Sequence, residues 1–156
     1  MNRKTFIAEY TRFITLAVKL ANKSLKQGIA SLEEEIEDID DELFKQGLRF
    51  VVDGTAAPLI DEIMSNRISH EKDEYTRLFK TVQKRAVLGI QAGENTYILY
   101  HVLASLPDLT HNEEQKIESL ILRDDINEEV LEDDRKFLSD FRKRIAEKQA
   151  VSSSNE

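Results

Sequence analysis

The sequence predicts an all-α protein, a compact bundle of about five to seven helices. Apolar residues recur three and four positions apart along most of the chain, which gathers them on one face of a helix. The five glycines and two prolines are too few for an all-β fold, which needs a turn about every 8–12 residues. A chain of 156 residues, 40% of them hydrophobic, is sufficient for one core. We therefore expect a single helical domain over residues 1–150.

The first helix is predicted from a continuous apolar face and is expected to end near Gly28, the first glycine of the chain. Ser31 and Glu34 then stand at the spacing of a capping box, in which the serine hydroxyl accepts an early amide and the glutamate reaches back. This spacing predicts a short acidic helix in the run 33–42. The face of the first helix consists of Phe6, Ile7, Tyr10, Phe13, Ile14, Ala17, Leu20 and Ala21.

The stretch GLRFVVDGT, residues 47–55, is compatible with two local structures. Its two valines followed by Asp53 and Gly54 are typical of a strand that enters a hairpin. However, no second alternating run follows, whereas the apolar residues from 44 to 51 stand at helical spacing. We therefore expect a short helix that ends at a left-handed Gly54.

One long helix is expected after this turn. Thr55 is a candidate N-cap, and Pro58 suits a first turn because the amide it lacks would have no helical partner there. Apolar residues continue at roughly helical spacing from 59 to 90 without another proline. The predicted structural turn residues are thus Gly28, Asp53, Gly54 and Pro58.

The last part of the chain predicts further helices. An apolar segment begins at Tyr97 and stops at Pro107. Thr110 and Glu113 repeat the capping-box spacing, and residues 125–128 are a candidate restart of the helix. Residues 151–156 are polar and serine-rich, so we expect a flexible tail there.

Charge and composition exclude several classes of function. The net charge of -8 disfavours nucleic acid as a partner, because binding it requires a surface of pooled positive charge. The absence of cysteine removes thiolate chemistry and cysteine metal sites, and it fits a cytoplasmic location. The three histidines form no metal-binding motif, and the dispersed glycines form no phosphate-binding loop. We expect no enzyme activity, no catalytic residue, no metal and no cofactor.

The sequence also predicts no integral membrane span. A spanning helix needs about 20 mainly apolar residues. The most apolar stretch, 86–107, carries Gln91, Glu94, Asn95 and His101, which would be costly in lipid. It is either a segment of an ordinary helical core or the remnant of a membrane helix.

A group of short motifs between residues 21 and 70 resembles the cytoplasmic loop of the flagellar stator A subunit, MotA, of the proton-channel family that also contains ExbB and TolQ. The motifs occur in the order found in that loop, and this ordered combination is more specific than any one of them. They are Gly28, Leu32-Glu33, the acidic run 34–42, Phe44-Lys45-Gln46-Gly47-Leu48, Val52-Asp53-Gly54 and Ile60-Asp61-Glu62-Ile63.

This resemblance implies an α-helical module that presents charged side chains to the switch complex of the flagellar rotor. It implies a partner-binding role for Glu33. The family loop usually has an arginine eight residues earlier, where this chain has Leu25, so the neighbouring Lys26 is the candidate basic contact. The four membrane helices of true stator subunits have no counterpart here. The expectation is therefore a soluble relative that does not conduct ions.

Two functions follow as alternatives. One is a non-enzymatic protein-interaction module associated with the flagellar motor or motility, located in the cytoplasm, peripheral to the inner membrane at the motor. The other is a free-standing helical adaptor or regulator unrelated to motility. The apolar faces at 6–21 and 97–106 fit either one closed core or a homo-oligomer interface.

Overall fold

A computed structural model describes the backbone of residues 1–124 and 132–154, and the side chains of residues 1–121 and 139–151. Every regular element in these residues is helical and none is a strand, which confirms the all-α prediction. A 3-10 turn at Ile29–Leu32 precedes α2. The helices are α1 Arg3–Gln27, α2 Glu33–Ile36, α3 Glu42–Val52, α4 Ala57–Ser69, α5 Glu74–Ala92, α6 Thr96–Ala104, α7 His111–Asp124 and α8 Glu132–Ser154.

The chain divides into two compact units, Met1–Asp108 and Leu109–Glu156. Unit 1 contains α1 to α6, and unit 2 contains α7 and α8. The single domain over 1–150 stays a prediction. So does the flexibility of 151–156, where α8 continues to Ser154 and the last two residues lie outside the described part.

In unit 1, α5 packs against four other helices: α1, α3, α4 and α6. Phe13 of α1 lies edge-on to Phe44 of α3 and to Phe79 of α5, with ring centroids 4.8 and 5.6 Å apart. Such edge-to-face pairs are favourable beyond their buried area. The apolar face predicted for α1 is buried at Phe6, Tyr10, Phe13, Ile14, Ala17, Leu20 and Ala21.

Helix α3 approaches α5 closely because Gly47 has no side chain. A Cβ atom at this position would lie 2.7 Å from Cγ2 of Val87, closer than real Cβ contacts allow. Gly47 is therefore part of the helix–helix packing, a role that its place inside GLRFVVDGT does not reveal.

The same stretch is helical, as predicted. Asp41 caps α3, its carboxylate accepting from the amides of Leu43 and Phe44 at 3.1 Å. The helix runs through Val52, and Gly54 takes the left-handed φ of +78° that favours glycine. Pro58 lies in the first turn of α4, but the predicted cap at Thr55 is wrong. The N-cap is Ala56, with no side-chain hydrogen bond.

The prediction of one long helix after Pro58 is also wrong, because α4 ends at Ser69 and α5 begins at Glu74. Asp73 starts the second helix as its N-cap, accepting from the amide of Thr76 at 2.8 Å and from its hydroxyl at 2.7 Å. These hydrogen bonds lower the pKa of Asp73 to about 2. Apolar residues continue at helical spacing across this break because both helices bury their apolar faces in the same core. Since the predicted long helix is two helices, α4 and α5, the described residues contain eight α-helices.

The two predicted capping boxes differ in outcome. At Thr110 and Glu113 the box is confirmed: the Thr110 hydroxyl accepts from the Glu113 amide at 3.2 Å, and the Glu113 carboxylate accepts from the Thr110 amide at 2.9 Å. At Ser31 the prediction is wrong, because the hydroxyl donates backwards to the carbonyl of Gly28 at 2.6 Å. The short acidic helix itself is present as α2.

Gly28 and Gly93 end α1 and α5 with positive φ, of 87° and 66°. The stretch 86–107 consequently holds the end of α5, a left-handed turn and all of α6. In the part of the chain that the structure describes, no helix has the length and apolar character needed to cross a membrane. The predicted restart at 125–128 lies outside the described residues.

Candidate partner-binding surface

The acidic run between α1 and α3 borders an open depression, which we call the α2–α3 depression. Its volume is about 260 Å³. Carboxylates of Glu33, Glu37 and Asp53 and the guanidinium of Arg49 line it, with Ile36 and Val52 as its apolar lining. Three acidic groups to one basic group make this a locally negative surface.

Helix α2 has only four residues, so it depends on tertiary contacts to form. A helix of this length is not stable on its own, and here it lacks a side-chain cap. Its apolar anchors are Leu32, Ile36 and Ile39, which are 0%, 3% and 5% exposed. Burying these three side chains fixes the acidic residues between them at the surface.

The ammonium group of Lys23, in α1, bridges two of these acidic residues; we call this group the Lys23 clamp. Lys23 Nζ donates to Glu35 Oε1 at 2.8 Å and also pairs with Glu34. Only 16% of the Lys23 side chain is exposed. Burial alone would lower the pKa of Lys23, but the hydrogen bonds to Glu34 and Glu35 outweigh it and raise this pKa above 10.5.

On the other side of α2, Arg49 of α3 pairs with Glu37 at 2.9 Å. Both side chains are more than half exposed, so solvent screens the attraction. Glu34 and Glu35 are thus tied towards α1 and Glu37 towards α3.

Glu33 differs from these three glutamates. It is exposed, and its carboxylate makes no ion pair or hydrogen bond with another residue of the described chain. Asp53, across the depression, is likewise exposed, and no described residue pairs with its carboxylate. An incoming cation would therefore meet two carboxylates that need not break an internal bond.

The structure places the other predicted contact, Lys26, in the last turn of α1, exposed and two residues before Gly28. The neighbouring Leu25 is 49% exposed. Partner binding by Lys26 and Glu33 stays a prediction.

Sequence reasoning missed Lys23 and Arg49. A signal for Lys23 was available, because this position adjoins the buried residues Leu20, Ala21 and Ser24 of the α1 face. A lysine beside a buried stripe extends along it and ends at an acidic neighbour. Which acidic residue that would be depended on the turn at Gly28. In the described part of the chain, no group of three or more histidine, aspartate or glutamate side chains is arranged to hold a metal ion.

Fold and surface define an all-α module with an exposed acidic segment. This module is similar to motility protein A: the chain is 42% identical to that of Treponema phagedenis over 69 residues, which are 44% of this chain and 27% of the relative. It is 38% identical to that of Treponema pallidum over 69 residues, 44% of this chain and 27% of the relative. It is 32% identical to that of Bacillus subtilis over 96 residues, 58% of this chain and 32% of the relative.

These matches confirm a MotA-like relationship over about half of the chain. The chain spans less than a third of the length of each of these relatives. No family model matches it.

Proposed function

We propose that this chain is a non-enzymatic, motility-associated protein-interaction module that resembles the stator cytoplasmic loop. Its contact surface is centred on Glu33, with Lys26 as the basic contact. The observation that carries the proposal is the Glu33 carboxylate, exposed and unpaired with any described residue at the rim of the α2–α3 depression. Its position within a segment related to motility protein A supports a partner in the flagellar motor.

Electrostatic complementarity favours this kind of surface. Exposed charges around a contact steer association and select the partner more than they add to its affinity. An acidic depression fits a basic patch on a switch component, and the nearby Lys26 requires an acidic group beside that patch. The proposed location is the cytoplasmic side of the inner membrane, at the motor.

The alternative is a helical adaptor or regulator that uses the stator-like segment as a scaffold. It is favoured by one observation, that the matches to motility protein A cover only 44–58% of this chain. In that case the partner would bind elsewhere on the chain, and the charges of Lys26 and Glu33 would not matter.

Purified switch-complex proteins from the same organism test the proposal by biolayer interferometry. We expect wild-type binding, weakened about fivefold or more by either Lys26→Glu or Glu33→Lys. The matched control is Glu62→Lys, which reverses another exposed glutamate, on α4, outside the depression. Binding by no switch protein would contradict the proposal, as would an equal loss in the Glu62 variant.

A further inference from the structure

We infer that Lys23 is the positioning residue of this surface, the side chain that holds α2 against α1 so that Glu33 is the carboxylate of α2 left for a partner. This inference rests on the proposed function and deepens it. It concerns a residue that is not itself the contact.

Helix α2 is too short to be stable without contacts to the rest of the protein. The chain leaves α1 at Gly28, makes a 3-10 turn and enters a four-residue helix with no side-chain cap. The three apolar anchors bury the inner face of this segment. Because these anchors are apolar, they form no hydrogen bond or ion pair with the glutamates on the exposed face of the segment.

The glutamates of this segment differ in their partners. Five consecutive positions after the 3-10 turn, 33–37, are glutamate or isoleucine, and four of them are glutamates. Lys23 takes Glu34 and Glu35, and Arg49 takes Glu37. Without Lys23, Glu34 and Glu35 would repel Glu33 and each other, and α2 would lose its only described ion pairs to α1.

The Lys23 clamp and the Arg49–Glu37 ion pair differ in their exposure to water. The Lys23 side chain is 16% exposed, whereas Arg49 is 51% exposed. An ion pair whose cation is shielded from water is screened less and holds its geometry better. The Lys23 clamp is therefore the stronger restraint on the orientation of α2.

Positioning and net charge predict opposite effects of removing Lys23. Lys23→Met makes the surface one unit more negative, which by charge alone would strengthen binding of a basic partner. If Lys23 positions Glu33, the same variant weakens binding. Lys4→Met is the matched control, since it removes an exposed lysine from the same helix.

The test has two readouts. Hydrogen exchange of the free protein should show amides of residues 33–39 exchanging about two- to fivefold faster in Lys23→Met than in wild type or Lys4→Met. Affinity for the wild-type switch partner should fall by a similar factor, and Lys23→Arg, which keeps the charge and the donors, should restore both.

Unchanged exchange in Lys23→Met would overturn the inference, and so would faster exchange with equal or tighter binding. Wild-type protein that binds no switch component would overturn the proposed function instead. The exchange comparison, which needs no partner, would then decide alone whether the Lys23 clamp holds α2.

Discussion

Among the residues that the structure describes, Lys23 and Lys148 each bridge two glutamates, and the two groups differ in burial. In unit 1, Lys23 joins α1 to Glu34 and Glu35 of α2. In unit 2, Lys148 of α8 joins Glu114 and Glu118 of α7, at 3.0 and 3.3 Å; we call this group the Lys148 clamp. The chemistry is the same, but the burial of the carboxylates and the elements they hold are not.

The side chain of Glu118 is only 6% exposed, whereas that of Glu34 is 70% exposed. A buried carboxylate that loses its cation keeps the cost of leaving water, and an exposed one is solvated again. Helix α7 also has 14 residues and its own capping box, so it depends less on its clamp than the four-residue α2 does. We therefore expect the Lys148 clamp to determine stability and the Lys23 clamp to determine local structure.

The largest effect is expected for Lys148→Met. It should lower the free energy of unfolding by about 1–2 kcal/mol, less than the loss for a fully buried pair, because the Lys148 side chain is 40% exposed. Urea unfolding measures this change. Lys143→Met, at an exposed lysine of the same helix, is the control and should change stability by less than about 0.5 kcal/mol.

A second substitution tests the cause of this loss. Adding Glu118→Gln to Lys148→Met removes the buried charge that has lost its Lys148 contact, so the double variant should recover part of the lost stability. A double variant that is less stable than Lys148→Met would show that burial of Glu118 does not explain the loss.

A smaller global effect is expected for Lys23→Met. Because Glu34 is largely exposed, the free energy of unfolding should fall by only about 0.2–1 kcal/mol. Urea unfolding under the same conditions gives the comparison with Lys148→Met. If Lys23→Met destabilises the protein as much as Lys148→Met does, the expectation that the two clamps differ in their effect on stability is wrong.

Alkaline pH should weaken both clamps. Burial alone would lower the pKa of Lys148, but the hydrogen bond to Glu114 and the charges of Glu118 and Glu114 outweigh it, so this pKa is raised above 10.5. A lysine with a raised pKa in the folded state stabilises fully below 10.5, and its contribution is lost as the pH rises through the folded value. NMR of the lysine side chains should show Lys23 and Lys148 titrating above 10.5, the ordinary value for a lysine. Titration of either one at or below 10.5 would be evidence against its clamp.

The smallest effect is expected for Arg49→Gln. Its ion pair with Glu37 is exposed on both sides, so unfolding free energy should change by less than about 0.5 kcal/mol. Thermal unfolding provides the measurement, with Lys4→Met as an exposed-charge control. A loss comparable to that of Lys148→Met would mean that exposure is a poor guide to the strength of these pairs.

The sequence was sufficient where structure depends on neighbours along the chain. The left-handed Gly54 just past the end of α3 and the capping box at Thr110 were both predicted, because the residues that make these structures are at most a few positions apart. The break between α4 and α5 was missed, although Asp73 stands at N-cap spacing from Thr76. Apolar residues continue at roughly helical spacing from 59 to 90, and this pattern predicts one helix.

The sequence was insufficient where structure depends on contacts across the fold. Ser31 has the spacing of a cap, yet the tight turn after Gly28 brings the Gly28 carbonyl within 2.6 Å of its hydroxyl. The hydroxyl therefore donates to this carbonyl and does not accept from an amide of α2. Glu33 was selected through a family resemblance, but only the structure distinguishes it from Glu34 and Glu35, which Lys23 binds. That distinction depends on how α1 and α2 pack, which residue spacing does not encode.

The most direct test of the proposed partner-binding surface is an NMR titration of the isotope-labelled chain with the switch protein that binds it. We expect the largest shifts in a single patch that comprises Lys26, Glu33 and the lining of the α2–α3 depression. Shifts concentrated in α7 and α8 or on the outer face of α4, with residues 26–37 unchanged, would contradict this assignment.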